Sequence, residues 1–345
     1  MKTEKKKGRG MFVFISIWTF IVSFGIGVVS KFAIKPSWAK EYSVQMTDEV
    51  GKFYKDISYG DGDANKFDLY VPANEGKESY GLVVYLHAGG FTSGDKAGDA
   101  KMLAWLCSKG YVAAGINYTL RTDDNDKSVY SQSVEIKEAM PMVVEEAERL
   151  GYRIDKMAIS GGSAGGTLAM LYAYRDAAES PVPVRMLFEA VGPSSFYRSD
   201  WGVYGLNQNT EESKKAAAGV FGIMLGEEID VDILDTPQYD ELIKPISAFM
   251  WVNENTVPSV IAYGAHDRVC PFGSAAHLVN ALKENGVDYR YFEMPHSGHG
   301  LQNDNKIYEQ YMNAVEGYLD KYMPVICGKG GLRLIHSPNL QGKKD

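Results

Sequence analysis

The sequence predicts an α/β protein whose mainly parallel sheet is covered by helices on both faces. Two observations carry that prediction. Short apolar, strand-like runs alternate with amphipathic, helix-like stretches along most of the chain, which is the pattern of successive βαβ units. Two of the helix-like stretches stop at glycines, Gly110 and Gly151, as helices closed by a left-handed residue do. The composition agrees. With 45% hydrophobic and 23% charged residues among 345, global disorder and collagen-like repeats are excluded and a large core is affordable.

Residues 1–10 form a basic leader, with Lys2, Lys5, Lys6, Lys7 and Arg9 against the single acid Glu4. Residues 11–34 begin with an uncharged apolar run, Met11 to Val29. Its length of about 19 residues nearly crosses a hydrocarbon core of about 30 Å. Such a run behind a basic leader marks a signal anchor or a secretory signal peptide as the two leading readings, with a buried helix of a soluble protein as the third. The length favours an anchor retained in the membrane, whereas Ser37-Trp38-Ala39 offers the small residues of a cleavage site. Under either leading reading the body of the protein lies outside the cytoplasm. Residues 35–51 read as a polar tether.

The body is expected over residues 52–323. Residues 53–59 and 66–71 alternate around Gly60-Asp61-Gly62-Asp63 and predict a hairpin. Further strands are expected at 81–86, 111–116, 157–160, 186–190, 260–263 and 289–293. Helices are expected at 100–109, 133–150, 164–178, 273–284 and 307–322. One stretch breaks the rhythm. Residues 196–258 separate two strands by far more than the usual connection of about 2–6 residues. This insertion holds a helix-like segment, 210–225, and the aromatic side chains Trp201, Tyr204, Phe249 and Trp251. Placed beside strand ends, it is expected to be a helical cap facing substrate, with a peripheral decoration as the alternative. The tail, 324–345, fits no element.

The net charge of -8 understates the acidity of the body, because the basic residues concentrate near the N-terminus. An acidic body is poorly suited to nucleic acid, whose phosphates need clustered cations. Cys107, Cys270 and Cys327 lack metal-ligand spacing and are expected to be ordinary thiols. No metal site is indicated.

Gly161-Gly162-Ser163-Ala164-Gly165 follows a short apolar strand and opens a helix. A sharp strand-to-helix turn needs small neighbours, because its central residue is strained and the flanking backbones approach closely. It would lift the Ser163 hydroxyl to the C-terminal edge of the sheet, beside the free N–H of Ala164 at a helix N-terminus. Alone, the motif also fits a glycine-rich turn with an idle serine. His87-Ala88-Gly89-Gly90-Phe91 follows another strand. There, Gly89 and Gly90 let backbone N–H groups point into a cavity, and with Ala164 they would form an oxyanion hole. His87 is expected to brace that loop rather than act as a base.

A serine hydroxyl needs a histidine base and a carboxylate to orient it. Asp267 follows the strand at 260–263, and the loop after 289–293 offers His296 and His299. His299 is preferred, because Gly298 and Gly300 allow a close approach. His266 would break the chain order of serine, acid and histidine, His277 lies within an expected helix, and His336 lies in the tail.

With these motifs in place, the chain resembles the α/β-hydrolase carboxylesterases, in the branch of hormone-sensitive-lipase-like and acetyl-xylan or feruloyl esterase-like enzymes. The matching residues are Phe67-Asp68-Leu69-Tyr70-Val71-Pro72, Val84 to Phe91 with Gly94-Asp95-Lys96, and Asn117-Tyr118-Thr119-Leu120. They continue with the glycines around Ser163, Gly264 to Asp267 with Val269 and Pro271, and His299-Gly300. The resemblance implies an α/β-hydrolase fold with an eight-stranded sheet, no cofactor, and hydrolysis of small-molecule or polysaccharide-linked esters through an acyl-enzyme. It implies Ser163, Asp267 and His299 as the triad. Ala88 replaces the family's first glycine, and Gly162 stands where many relatives carry an acid. Acyltransferases and peptidases use the same triad, and an idle hydrolase fold can serve as a binding module.

Overall fold

The structure is a computed structural model that describes residues 42–73 and 77–325. The expected leader, the membrane segment at 11–34, the first part of the tether and all but the start of the tail, Cys327 included, lie outside the described residues. Among the described residues no helix is long and apolar enough to cross a membrane.

Eight strands form one sheet. They are β1 (Gly51–Ser58), β2 (Lys66–Pro72), β3 (Tyr80–Leu86), β4 (Val112–Ile116), β5 (Ile154–Gly162), β6 (Val184–Ala190), β7 (Ser259–Gly264) and β8 (Tyr289–Met294). Their order is β1-β2-β4-β3-β5-β6-β7-β8. The expected hairpin, β1 with β2, is antiparallel and carries a bulge between Tyr54 and Ile57. β2 also meets β4 antiparallel, and every later pairing is parallel. The α/β-hydrolase architecture is therefore present.

Side chains alternate across the strands, as the pleat requires. Leu82, Val84 and Leu86 of β3 enter one core, while Val83 enters the other. The first core is shared with helices α2 (Val129–Arg149), α3 (Ala164–Leu171) and α6 (Phe272–Glu284), and the second with α1 (Ala100–Ser108) and α7 (Asn305–Tyr322). Buried on both faces, the central strands are almost wholly apolar, as parallel strands are.

Three elements depart from expectation. α2 starts at Val129 rather than 133, because Ser128 and Ser131 form a reciprocal capping box, an arrangement worth about 1 kcal/mol per cap. β5 is longer than expected, since β3 pairs with it down to Ile154. The helix expected over 164–178 instead relaxes after Leu171 into a π turn, Tyr172–Asp176, and a short 3-10 turn. Gly110 and Gly151, both at positive φ, follow α1 and α2 as expected.

The insertion between β6 and β7 contains α4 (Glu211–Leu225) and α5 (Pro237–Ile243), joined by 3-10 turns. Its aromatics largely pack on one another. Phe196 stacks on Trp201, and Phe221 meets both edge-on. Trp201 is 5% exposed and donates its Nε1–H to Ser195 O. That tryptophan is buried in the apolar core it shares with Leu82 of the sheet and Leu168 of α3.

Candidate active site

The loops after β3, β5, β7 and β8 meet at the C-terminal edge of the sheet, where α/β proteins place their ligands. Ser163 occupies the turn between β5 and α3 with φ 53° and ψ -123°, a conformation that costs a non-glycine residue about 1–3 kcal/mol. Its N–H donates to Ala190 O at 2.8 Å, which ties the strained turn to the end of β6. The glycines on either side are sterically required. A Cβ on Gly165 would lie 2.0 Å from Leu86 O, and one on Gly161 would lie 2.4 Å from the Gly165 carbonyl.

His299 lies between the serine and the acid. Its Nε2 is 2.8 Å from Ser163 Oγ, and its Nδ1 is 2.8 Å from Asp267 Oδ2. A carboxylate accepts, so Nδ1 carries the proton and Nε2 is left to accept from the serine hydroxyl. Asp267 is itself held by the N–H groups of Val269 and Cys270, at 2.8 and 3.0 Å on Oδ1. Its side chain is fully buried, while the His299 ring is 15% exposed. The loops carrying the acid and the base are joined directly, by Ala265 N–H to Met294 O and His266 N–H to Ser297 O. Gly264 permits this, because a Cβ there would lie 2.3 Å from Gly298 O.

His296 has a different task. Its ring Nδ1 is 2.8 Å from Asp304 Oδ1, its backbone N–H donates to Oδ2, and Ser297 Oγ donates to the same carboxylate. Burial opposes the Asp304 charge, yet the hydrogen bonds from Ser297 and His296 hold its carboxyl below the usual range. Asp304 thus shapes the loop that delivers His299. Of the two histidines, it is the ring of His299 that lies within hydrogen-bonding distance of Ser163, and that of His296 that lies against Asp304.

The glycine loop after β3 is held from several sides. Gly89 O accepts from Ser93 N–H at 3.0 Å and from Ser93 Oγ at 2.8 Å. Gly89 and Gly90 have φ 137° and 61°, and neither N–H is engaged by another described group. His87 braces the loop, as expected. Its Nδ1–H donates to Ala88 O at 2.9 Å, and its ring stacks on Tyr118 at 4.3 Å. Burial keeps the ring pKa below its ordinary value, which leaves the imidazole neutral. Beneath it, Lys96 is buried with its amine 2.7 Å from Asp56 and 3.3 Å from Asp68. Asn117 bridges Lys96 N–H and Asp95. The sequence reading placed Asp68, Asp95, Lys96 and Asn117 in the family match and Tyr204 among the insertion's aromatics without assigning these contacts, and it did not name Asp56 or Asp304. The Tyr204 hydroxyl donates to Val269 O at 2.9 Å and so steadies the Asp267 loop from the insertion.

Among the described residues no group of three or more His, Cys, Asp or Glu side chains is arranged to hold a metal. Cys107 and Cys270 are buried free thiols, with burial pushing both pKa values up.

A family model described as BD-FAE matches residues 67–282. Among curated proteins, the chain is 25% identical over 287 residues to an acylamino-acid-releasing enzyme of Arabidopsis thaliana, covering 77% of this chain and 34% of that protein. It is 31% identical over 122 residues to LipM of Mycobacterium tuberculosis, a probable carboxylic ester hydrolase, covering 34% of this chain and 27% of that one. The chain therefore spans about a third or less of those relatives' length. Among solved structures, esterase B of Lactobacillus rhamnosis matches with a TM-score of 0.64 at 16% identity, over 90% of this chain and 95% of that one. A thermophilic esterase of Thermogutta terrifontis matches at 0.61 and 19%, over 82% and 96%. A truncated carbohydrate esterase from gut microbiota matches at 0.60 and 15%, over 79% and 98%. At these identities the likeness is one of fold.

Proposed function

The chain belongs to the BD-FAE family, and on that premise we propose that it is a serine carboxylic ester hydrolase. The observation that carries this reading is the unbroken chain of contacts Ser163 Oγ–His299 Nε2 and His299 Nδ1–Asp267, each at 2.8 Å. Ser163 attacks the acyl carbonyl while His299 takes its proton, and Asp267 steadies the resulting imidazolium. The N–H groups of Gly89, Gly90 and Ala164 stabilise the oxyanion. His299 then protonates the departing alcohol, leaving an acyl-serine. A water, deprotonated by His299, cleaves that ester and releases the acid.

The test is hydrolysis of short-chain p-nitrophenyl esters by the wild type and by Ser163→Ala. The expected loss in kcat is about 10⁴-fold or more, because triad members act as a unit. Equal rates would end the assignment.

A cavity of about 590 Å³ is lined by Tyr197, Ser199, Asn207, Thr236 and Asp240 among others. That lining also holds Leu234 and the Arg198–Asp235 ion pair and no triad residue, so the preference for polysaccharide-linked esters rests on a fold neighbour named a carbohydrate esterase. Faster turnover of acetylated or aroylated oligosaccharides than of simple aryl esters is expected. A second reading, release of acylated amino acids from peptides, is favoured by the Arabidopsis relative's name, and assay of N-acetyl-peptide anilides separates it from the first. The apolar run from Met11 to Val29 supports an extracytoplasmic catalytic body, which protease access in intact cells checks.

A further inference from the structure

Glu189 is the penultimate residue of β6, level with Gly161 in the register with β5. It is 0% exposed. One carboxyl oxygen, Oε2, accepts the Gly192 N–H at 2.9 Å, and the other, Oε1, has no partner among the described residues. A leucine would fill that space without the cost of burying a carboxyl, which runs to several kcal/mol for an ionised group. The surroundings are adapted to it. A Cβ on Gly166 of α3 would lie 2.9 Å from Oε2, so that glycine makes room for the carboxyl, while one on Gly192 would meet the α3 backbone at 2.8 Å and Oε2 at 2.9 Å.

The turn that Glu189 closes touches the nucleophile. Ala190 O accepts the Ser163 N–H, and Val191, at φ 53°, donates its N–H to Ala262 O. The Tyr263 hydroxyl donates to Gly192 O at 2.5 Å, the Tyr311 hydroxyl to Glu189 O at 3.1 Å, and Thr167 Oγ1 of α3 to Pro193 O at 2.7 Å. Two strained residues, Ser163 and Val191, therefore lean on one short turn, and the Glu189 carboxyl spans it from within. We propose that Glu189 is a positioning residue for Ser163, its carboxyl clamping the 190–192 turn whose carbonyl holds the nucleophile's N–H. The proposal rests on the esterase reading given above.

Protonation follows from the same surroundings. The titratable groups facing Glu189 are Tyr174 from the segment after α3, Tyr263 from β7, Tyr85 from β3, Tyr291 from β8, Tyr311 from α7 and Cys270. All six are neutral at pH 7, with burial raising each pKa, and none supplies a cation. Burial pushes the Glu189 carboxyl up to about 8, so it acts as a neutral acid near pH 7. Above that value it becomes an anion that keeps the Gly192 N–H but has no cation beside it, next to the turn that holds Ser163. It then opposes the charge that the reaction must develop.

The experiment compares Glu189→Gln and Glu189→Leu with the wild type on p-nitrophenyl acetate from pH 6 to 10, with Ser163→Ala as the blank. Glutamine keeps an acceptor for Gly192 N–H and never ionises. The wild type is expected to lose kcat above about pH 8, and the glutamine variant to keep kcat within about 3-fold at pH 7 while losing that alkaline decline. The leucine variant is expected to lose kcat by about 10- to 100-fold with KM within about 2-fold. A glutamine variant whose profile overlays the wild type's would overturn the proposal, as would a folded leucine variant with unchanged kcat. Should the leucine variant not fold, the glutamine profile decides. A wild type no faster than Ser163→Ala would instead sink the esterase reading.

Discussion

At the scale of single residues, the proposed chemistry depends on which of two neighbouring histidines reaches the serine. His296 and His299 share a loop and a glycine-rich context. Only His299 bridges Ser163 and Asp267, whereas the 78% exposed His296 side chain is spent on Asp304. We expect His299→Ala to reduce kcat for p-nitrophenyl esters by about 10⁴-fold or more, and His296→Ala to keep it within about 3-fold. Reversed effects would mean that the other ring serves as the base. Glycine flanks in the sequence were enough to prefer His299. They said nothing of Asp304, because its partners depend on how residues 296–304 fold back on themselves. Glu189 was equally silent, reading simply as one polar residue at the end of an apolar strand.

At the scale of elements, the insertion is fastened to the body at defined points. One is Asp200, which accepts from Ser195 Oγ at 2.7 Å and lies 3.2 Å from His277 Nε2 of α6. The His277 ring also stacks against Phe249 and meets Tyr197 edge-on. The hydrogen bond to Asp200 raises the His277 pKa, against the effect of burial. A histidine whose pKa rises on folding contributes stability that is full below its unfolded value of about 6.5. That contribution fades as pH climbs through the folded value. His277→Gln should therefore lower Tm more at pH 6 than at pH 8.5, as read by thermal unfolding at both pH values. An equal drop at both would show that the ring acts by packing alone. The helices of the insertion were partly legible, 210–225 in particular, since Thr210 caps α4 and Gly226 closes it. The destination of the aromatics was not. Trp201 reads the same in sequence whether it faces a ligand or Phe221.

At the scale of the whole molecule, one sheet divides two apolar cores, and the site sits where its loops emerge. The core beneath α1 and α7 holds Val191 and Tyr311 near the site as well as Trp105. Trp105 of α1 is 1% exposed, packed by Tyr42 and by the Lys109 side chain. Trp105→Ala should cost about 3–5 kcal/mol of unfolding free energy, measured by urea denaturation, while kcat per folded molecule is unchanged. A matching loss of kcat would show that this core also sets the site's geometry. The sequence by itself determined the layering, the eight strands within a few residues, and the glycine-flanked turn that carries Ser163. Those features rest on local periodicity, on glycine's steric freedom and on loops that must follow strands. Only the tertiary structure decided which carboxylate holds which histidine, that β2 runs antiparallel to β4, and that a carboxyl lies buried behind the serine. Those outcomes turn on contacts between residues far apart in the chain, where burial and hydrogen bonding are set by neighbours that no local pattern names.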